Sequence, residues 1–370
     1  MADRSSIEWT DATWNPITGC SVVSPGCTHC YAMRLAGTRL AHHPSRAGLT
    51  IDTKAGPVWN GNVRLNREWL DQPTRWRRPR MIFVCAHGDL FHENVPDGWI
   101  VAVLRIMAMT PWHTYQVLTK RADRMRDFLA KWADLSGEDL GDFKDARGPE
   151  EVRRAHPSGR GQLFAAWLET LLETSGGKVP DGAAWPTFDW MNGEARWPNS
   201  FPNIWVGVSV EDQRRADERR DNLGALAEIG WTTFVSYEPA LGPVDWHGWE
   251  FLRWLISGGE SGRDARPSHP EWQRAARDFS ATNGIAYFFK QWGEWAPVPR
   301  RNNLPGRPHM VRAGDRFVVP TGSSHTLAQD LSSPLEDRGV FMRRTGKKAA
   351  GRLLDGREHN DVPRAWNAGA

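Results

Sequence analysis

The sequence predicts an α/β protein built as a parallel (β/α) barrel, either TIM-like or a partial barrel of the radical S-adenosylmethionine type, and three observations predict it. Six short runs rich in Val, Ile, Phe and Trp recur along the chain. Most are followed by a segment with apolar residues at helical spacing. Each run also closes on a polar or glycine-rich cluster, as strands do where they open into loops on the working face of a parallel barrel.

The six runs are 81–85 leading into AHGDLFHE, 115–118 into TKR, 204–208 into SVED, 233–235 into SYEP, 254–256 into SGGESG and 286–289 into KQWGEW. A strand before Cys20 and a weaker one over 62–65 bring the expected total to about eight, close to a complete barrel. Helices are expected over 97–109, 211–228 and 270–282, the last entered through a capping box of Ser268 and Glu271. Residues 123–202 interrupt the rhythm and read as a helical insertion between a first barrel part, 1–122, and a second, 203–298. Residues 299–370 read as a basic extension, with a linker and a short strand over 316–319.

The chain has 370 residues, 25% charged and 40% apolar, with no run of eighteen apolar residues and no apolar stretch behind Arg4 to act as a leader. The expectation is a cytoplasmic protein with no membrane association. A formal charge of +3 does not itself point to a polyanion, but basic residues concentrate in two places. Arg75, Arg77, Arg78 and Arg80 surround Trp76, and Arg343, Arg344, Lys347, Lys348, Arg352 and Arg357 follow one another near the C-terminus. Either stretch suits a phosphate backbone or a solvated face. The 21 tryptophans suit stacking on bases or core packing equally.

Three of the four cysteines fall in GCSVVSPGCTHCYA, with six residues between Cys20 and Cys27 and two between Cys27 and Cys30. A trio cannot pair off into disulfides, so metal or redox chemistry is the reading. Three thiolates leave one iron of a [4Fe-4S] cluster open to chelate the amino and carboxylate groups of S-adenosylmethionine, whose sulfonium can then be cleaved to a radical. The alternative is a structural zinc site completed by His29, His42, His43 or Cys85. A position after the first strand of an α/β barrel favours the cluster. Cys85, ending an apolar strand, reads as a buried thiol, with hydrogen-atom donation as the other role open to it.

The polar strand ends supply Asp89, His92 and Glu93, then Lys120 and Arg121, Ser209 and Glu211, Glu238, Glu260 and Ser261, and Lys290 and Gln291. From these, Asp89, Lys120, Ser209, Glu211, Glu238, Glu260 and Lys290 are the candidates for holding a zwitterionic cofactor. Mutual pairing that only closes the barrel, for example Lys120 with Glu238, is the competing expectation.

IEWTDATWNPITGC and PGCTHCYA, then DLFHE, LTKR, GVSVED, EPALGPV, ISGGESG, FFKQWG and GKKAAGRLLDGR, together resemble a phage-associated three-cysteine-motif family, a divergent relative of the radical S-adenosylmethionine superfamily. The resemblance implies a barrel, an iron-sulfur cluster on the trio, an electron donor as partner, and by fold analogy a chemistry like that of spore photoproduct lyase, which repairs DNA. The first cysteine interval is longer here than the superfamily's common one. Gly258, Gly259 and Glu260 come too late in the chain to match the superfamily's early Gly-Gly-Glu segment. The expected function is a radical enzyme repairing or modifying a nucleotide or nucleic acid. A zinc-stabilised nucleic-acid-binding phage protein, or a radical enzyme acting on a metabolite or peptide, are the alternatives.

Overall fold

The computed structural model describes residues 5–133, 201–298, 312, 314–322, 324–326 and 339–363. In chain order its strands are β1 (Ala12–Trp14), β2 (Ile17–Thr18), β3 (Thr50–Thr53), β4 (Gly56–Trp59), β5 (Arg64–Leu65), β6 (Met81–Val84) and β7 (Thr114–Thr119). Then come β8 (Ile204–Ser209), β9 (Thr232–Tyr237), β10 (Trp254–Gly258), β11 (Ala286–Gln291), β12 (Trp295–Pro297), β13 (Arg316–Val318), β14 (Ser324–Thr326) and β15 (Val340–Arg344). The helices are α1 (Tyr31–Gly37), α2 (Asp97–Met109), α3 (Ala122–Ala133), α4 (Gln213–Glu228), α5 (Pro270–Thr282) and α6 (Lys347–Ala350).

Seven strands form one sheet in the order β1-β6-β7-β8-β9-β10-β11, and every pairing in it is parallel. Strand order follows chain order, so the sheet never doubles back and forms a half-barrel with helices on its convex side. Both faces are buried, which is why the strands read as nearly continuous apolar runs. On the convex face Ile204, Val206, Val235, Leu255 and Phe289 join Leu223, Leu226 and Ala276 from the helices. On the concave face Trp9, Trp205, Phe234, Trp254, Ile256 and Phe288 form a separate aromatic cluster, with Phe83 and Leu118 packed against it.

The expected eighth strand is absent from this sheet. Arg64–Leu65 pairs antiparallel with β2 instead, because the Asn66 amide donates to the Asn15 carbonyl at 2.9 Å and ties the segment beside the turn after β1. Closure is replaced by a strap. The Phe289 N–H donates to the His359 carbonyl at 3.0 Å, and Phe288 bridges Asn360, so the C-terminal segment covers the edge that β1 would have to reach. Helix α5 is capped by His269, whose side chain accepts from the Glu271 N–H at 3.1 Å. Ser268 instead accepts from Gln273, so the expected capping box does not form.

The expected insertion begins with α3, and its remainder from 134 to 200 lies outside the described residues, as does the expected linker from 299 to 309. The expected strand over 316–319 is β13, within a four-stranded sheet ordered β12-β15-β13-β14. Among the described residues no helix is long and apolar enough to cross a membrane.

Candidate functional site

The two-residue period of a strand carries the concave face from Leu118 to Lys120, from Phe234 to Ser236 and Glu238, from Trp205 to Ser209 and from Phe288 to Lys290. All these polar residues line one cavity of about 280 Å3 at the carboxyl end of the sheet, floored by Trp9, Phe83 and Leu118. Cys20, Cys27 and Cys30 line the same cavity, with Asp89, Arg121 and Glu260.

The cysteine loop leaves the sheet after β1 and β2 and is clamped at two points. Ser24 Oγ donates to Glu211 Oε1 at 2.7 Å, and a Cβ on Gly26 would lie 2.6 Å from that carboxylate, so only glycine lets the loop pass so close. Arg266 donates to the Pro25 carbonyl at 3.0 Å while holding Glu260, whose Oε1 lies 3.2 Å from His29 Nδ1. The short helical turn Pro25–Cys27 then presents Cys27, and Cys30 sits at the entrance of α1.

None of the four cysteines is in a disulfide. Burial, with the Asp89 charge behind it, pushes the Cys20 thiol up to about 12, and burial raises that of Cys30 as well. Protonated thiols do not ligate, so a bound metal would have to displace these protons. Among the described residues no three His, Cys, Asp or Glu side chains converge on a single point suited to one ion. A closed zinc tetrahedron is therefore not prebuilt. Of its expected fourth ligands, His29 faces Glu260 and His43 Nδ1 bonds Ser45 Oγ at 2.7 Å. Each cysteine of a cubane ligates its own iron, so three thiols set around one cavity fit a cluster by donor chemistry and placement, with His29, on the same wall, turned to Glu260. Cys85 is buried on the same wall, its thiol pushed up to about 12 by burial first.

The candidate cofactor residues divide by what they already hold. Glu211 lies behind the cavity wall, fully buried, between Lys120 Nζ at 2.8 Å and Arg219 Nη1 at 3.0 Å. Burial alone would raise its pKa, but those two cations bring it down to about 2. Lys120 thus pairs with Glu211 and not with Glu238, which takes Lys290 at 3.2 Å and the Ser236 hydroxyl at 3.2 Å. Asp89 lines the cavity with its oxygens engaged by Thr119 Oγ1, Arg121 and the N–H groups of Phe91 and Lys120, so it shapes the β7–α3 loop. Glu260 is similarly held by Arg266. Ser209, Glu238 and Lys290 remain facing the cavity with the least internal commitment.

Gly258 and Gly259 serve close packing. A Cβ on Gly259 would lie 2.1 Å from the Trp292 carbonyl, and one on Gly258 2.9 Å from Glu238 Oε1.

The two basic stretches do not share a surface. Arg75, Arg77, Arg78 and Arg80 precede β6 and so lie at the amino end of the sheet, opposite the cavity. There Arg75 pairs with Asp71 at 3.2 Å and Arg80 stacks over a buried Trp76. The C-terminal stretch lies on the cavity side, but it is largely spoken for: Arg343 holds Asp315, Arg344 donates to the Arg263 carbonyl, Arg352 donates to the Lys290 carbonyl, and Lys347 meets Glu8 at 3.2 Å. Arg77, Arg78 and Lys348 are exposed.

Trp9, Phe83, Leu118, Tyr31 and Ser236 line the cavity without having been expected there. Phe83, Leu118 and Ser236 stand two residues before Cys85, Lys120 and Glu238, so strand alternation could have found them. Trp9 and Tyr31 lie outside the strands and gave no such signal.

A family profile described as "Protein of unknown function (DUF5131)" matches residues 4–363. No curated protein matches the chain. Among solved structures, a point mutant of spore photoproduct lyase is similar at 10% identity and a TM-score of 0.37, over 79% of each chain.

Proposed function

The chain belongs to the DUF5131 family of proteins of unknown function, and we propose that it is an iron-sulfur enzyme of the radical S-adenosylmethionine kind. One observation carries this reading: three thiols, none in a disulfide, ring one cavity at the carboxyl end of a parallel half-barrel, facing a wall of matched cations and carboxylates. Cys20, Cys27 and Cys30 would hold a [4Fe-4S] cluster. When bound, it supplies the electron for reductive cleavage of the S-adenosylmethionine sulfonium.

The chain's own residues bind and orient. Lys290 and Glu238, partly exposed into the cavity, exchange their mutual contact for the carboxylate and ammonium of the zwitterion, and Ser209 offers a hydroxyl to a ribose. Trp9, Phe83 and Leu118 give the nucleoside an apolar floor. Glu211 and Glu260 keep the cysteine loop in place from behind. For the substrate we favour a nucleotide or nucleic acid entering on the side of Lys347 and Lys348, with a metabolite or peptide as the competing class.

The test is anaerobic reconstitution with iron and sulfide, reduction with dithionite and chromatography of the products from S-adenosylmethionine. Slow release of 5′-deoxyadenosine without any substrate is expected. A reduced, fully loaded protein that leaves S-adenosylmethionine intact and unbound contradicts the proposal.

A further inference from the structure

We propose that Arg121 sets the reduction potential of the cluster by acting on one ligand, Cys20, through a charge-assisted hydrogen bond to its sulfur; this rests on the cluster reading above. Arg121 Nη1 lies 3.4 Å from Cys20 Sγ. The guanidinium is fixed by three other contacts, to Asp89 Oδ2 at 3.1 Å, Glu93 Oε2 at 2.9 Å and Ser21 Oγ at 2.6 Å. Asp89 is itself pinned by Thr119 Oγ1 at 2.6 Å, and the Arg121 side chain is 9% exposed, so the donor is held and not merely nearby.

The three ligands are not equivalent. Among the described residues Cys27 has Ser24 Oγ at 3.6 Å, a neutral and long contact, whereas Cys20 alone receives a cationic donor. Adding an electron to a cluster puts more charge on its ligand sulfurs, and a buried cation donating to one of them favours that state. Arg121 therefore raises the potential. Glu93 works against it, since it takes part of the same guanidinium while its side chain is 56% exposed. Arg121 is a positioning residue in this role: it touches the ligand and not the substrate.

The experiment compares reconstituted wild type with Arg121→Gln, Arg121→Lys and Glu93→Gln. Iron and sulfide are counted first, and the reduced cluster signal is then followed by electron paramagnetic resonance against applied potential. Arg121→Gln should lower the midpoint by at least tenfold in the reduction equilibrium, about 59 mV for a one-electron couple. Arg121→Lys should fall between, and Glu93→Gln should move the midpoint upward. A wild type that holds no cluster overturns the cluster reading and this inference together. A loaded wild type and a loaded Arg121→Gln with equal midpoints overturn this inference alone. Should Arg121→Gln fail to load, the exposed Glu93→Gln decides, and an unshifted midpoint there counts against the role.

Discussion

Glu211 carries a full charge with no exposed surface, which is tolerable only because Lys120, Arg219 and Ser24 surround it. Glu211→Gln leaves two cations facing a neutral amide, and a loss of about 3–5 kcal/mol is expected by thermal or denaturant melting. Its carboxyl ionises lower in the folded protein, at about 2, than its ordinary value of 4.5. The stabilisation is therefore complete above the ordinary value and is lost as pH falls through the window down to about 2. Glu93 and Asp355, also held low, remain in both proteins, so both lose stability there, and wild type should lose more than Glu211→Gln; parallel acid titrations of the two would contradict the assignment. That the three cysteines lie together on one cavity was legible from their spacing, but the choice of ion-pair partners was not. Lys120 reaches the carboxylate after the adjacent strand β8, while Lys290 on β11 reaches over β10 to Glu238 because Gly258 has no side chain in the way.

The β10 and β11 loops meet backbone to backbone. The Gly259 N–H donates to the Gln291 carbonyl at 2.9 Å, and Glu294 returns the contact to the Glu260 carbonyl at 3.0 Å. Gly259→Ala would drive a Cβ to 2.1 Å from a carbonyl oxygen that cannot swing aside. A cost of roughly 1–3 kcal/mol is expected by melting, with partial loss of bound iron. A neutral effect would show that the loops separate readily. The strand runs were readable because strands buried on both faces are nearly continuously apolar, and three helices because their apolar residues recur at helical spacing. The capping of α5 by His269 was not, since His is an uncommon cap and Ser268 stood in the expected place.

The strap along β11 explains why a basic segment need not be a nucleic-acid arm: Arg352 spends its donors on strand carbonyls. Among the described residues of that segment, Lys348 and Arg357 are exposed, and Lys347 is available at the cost of Glu8. Replacing Lys347 and Lys348 with Ala should lower the slope of log affinity against log salt by about 1–2 units for DNA or RNA. Arg77→Ala with Arg78→Ala, at the other end of the sheet, should leave that slope unchanged. The reverse pattern in filter-binding or anisotropy titrations would move the nucleic-acid surface away from the cavity.

At the scale of the whole molecule, a sequential parallel sheet places every strand's carboxyl end on one side, so residues as distant in sequence as Cys20 and Lys290 line one cavity. That consequence was legible once the strands were. The missing eighth strand was not, because a two-residue ladder at Arg64–Leu65 and a true edge strand look alike in composition. The central claim is that the trio holds a cluster, and metal and sulfide analysis of anaerobically reconstituted protein tests it most directly. About four irons and four sulfides per chain are expected, with Cys27→Ala losing most of them. One zinc per chain with no labile sulfide would contradict the account.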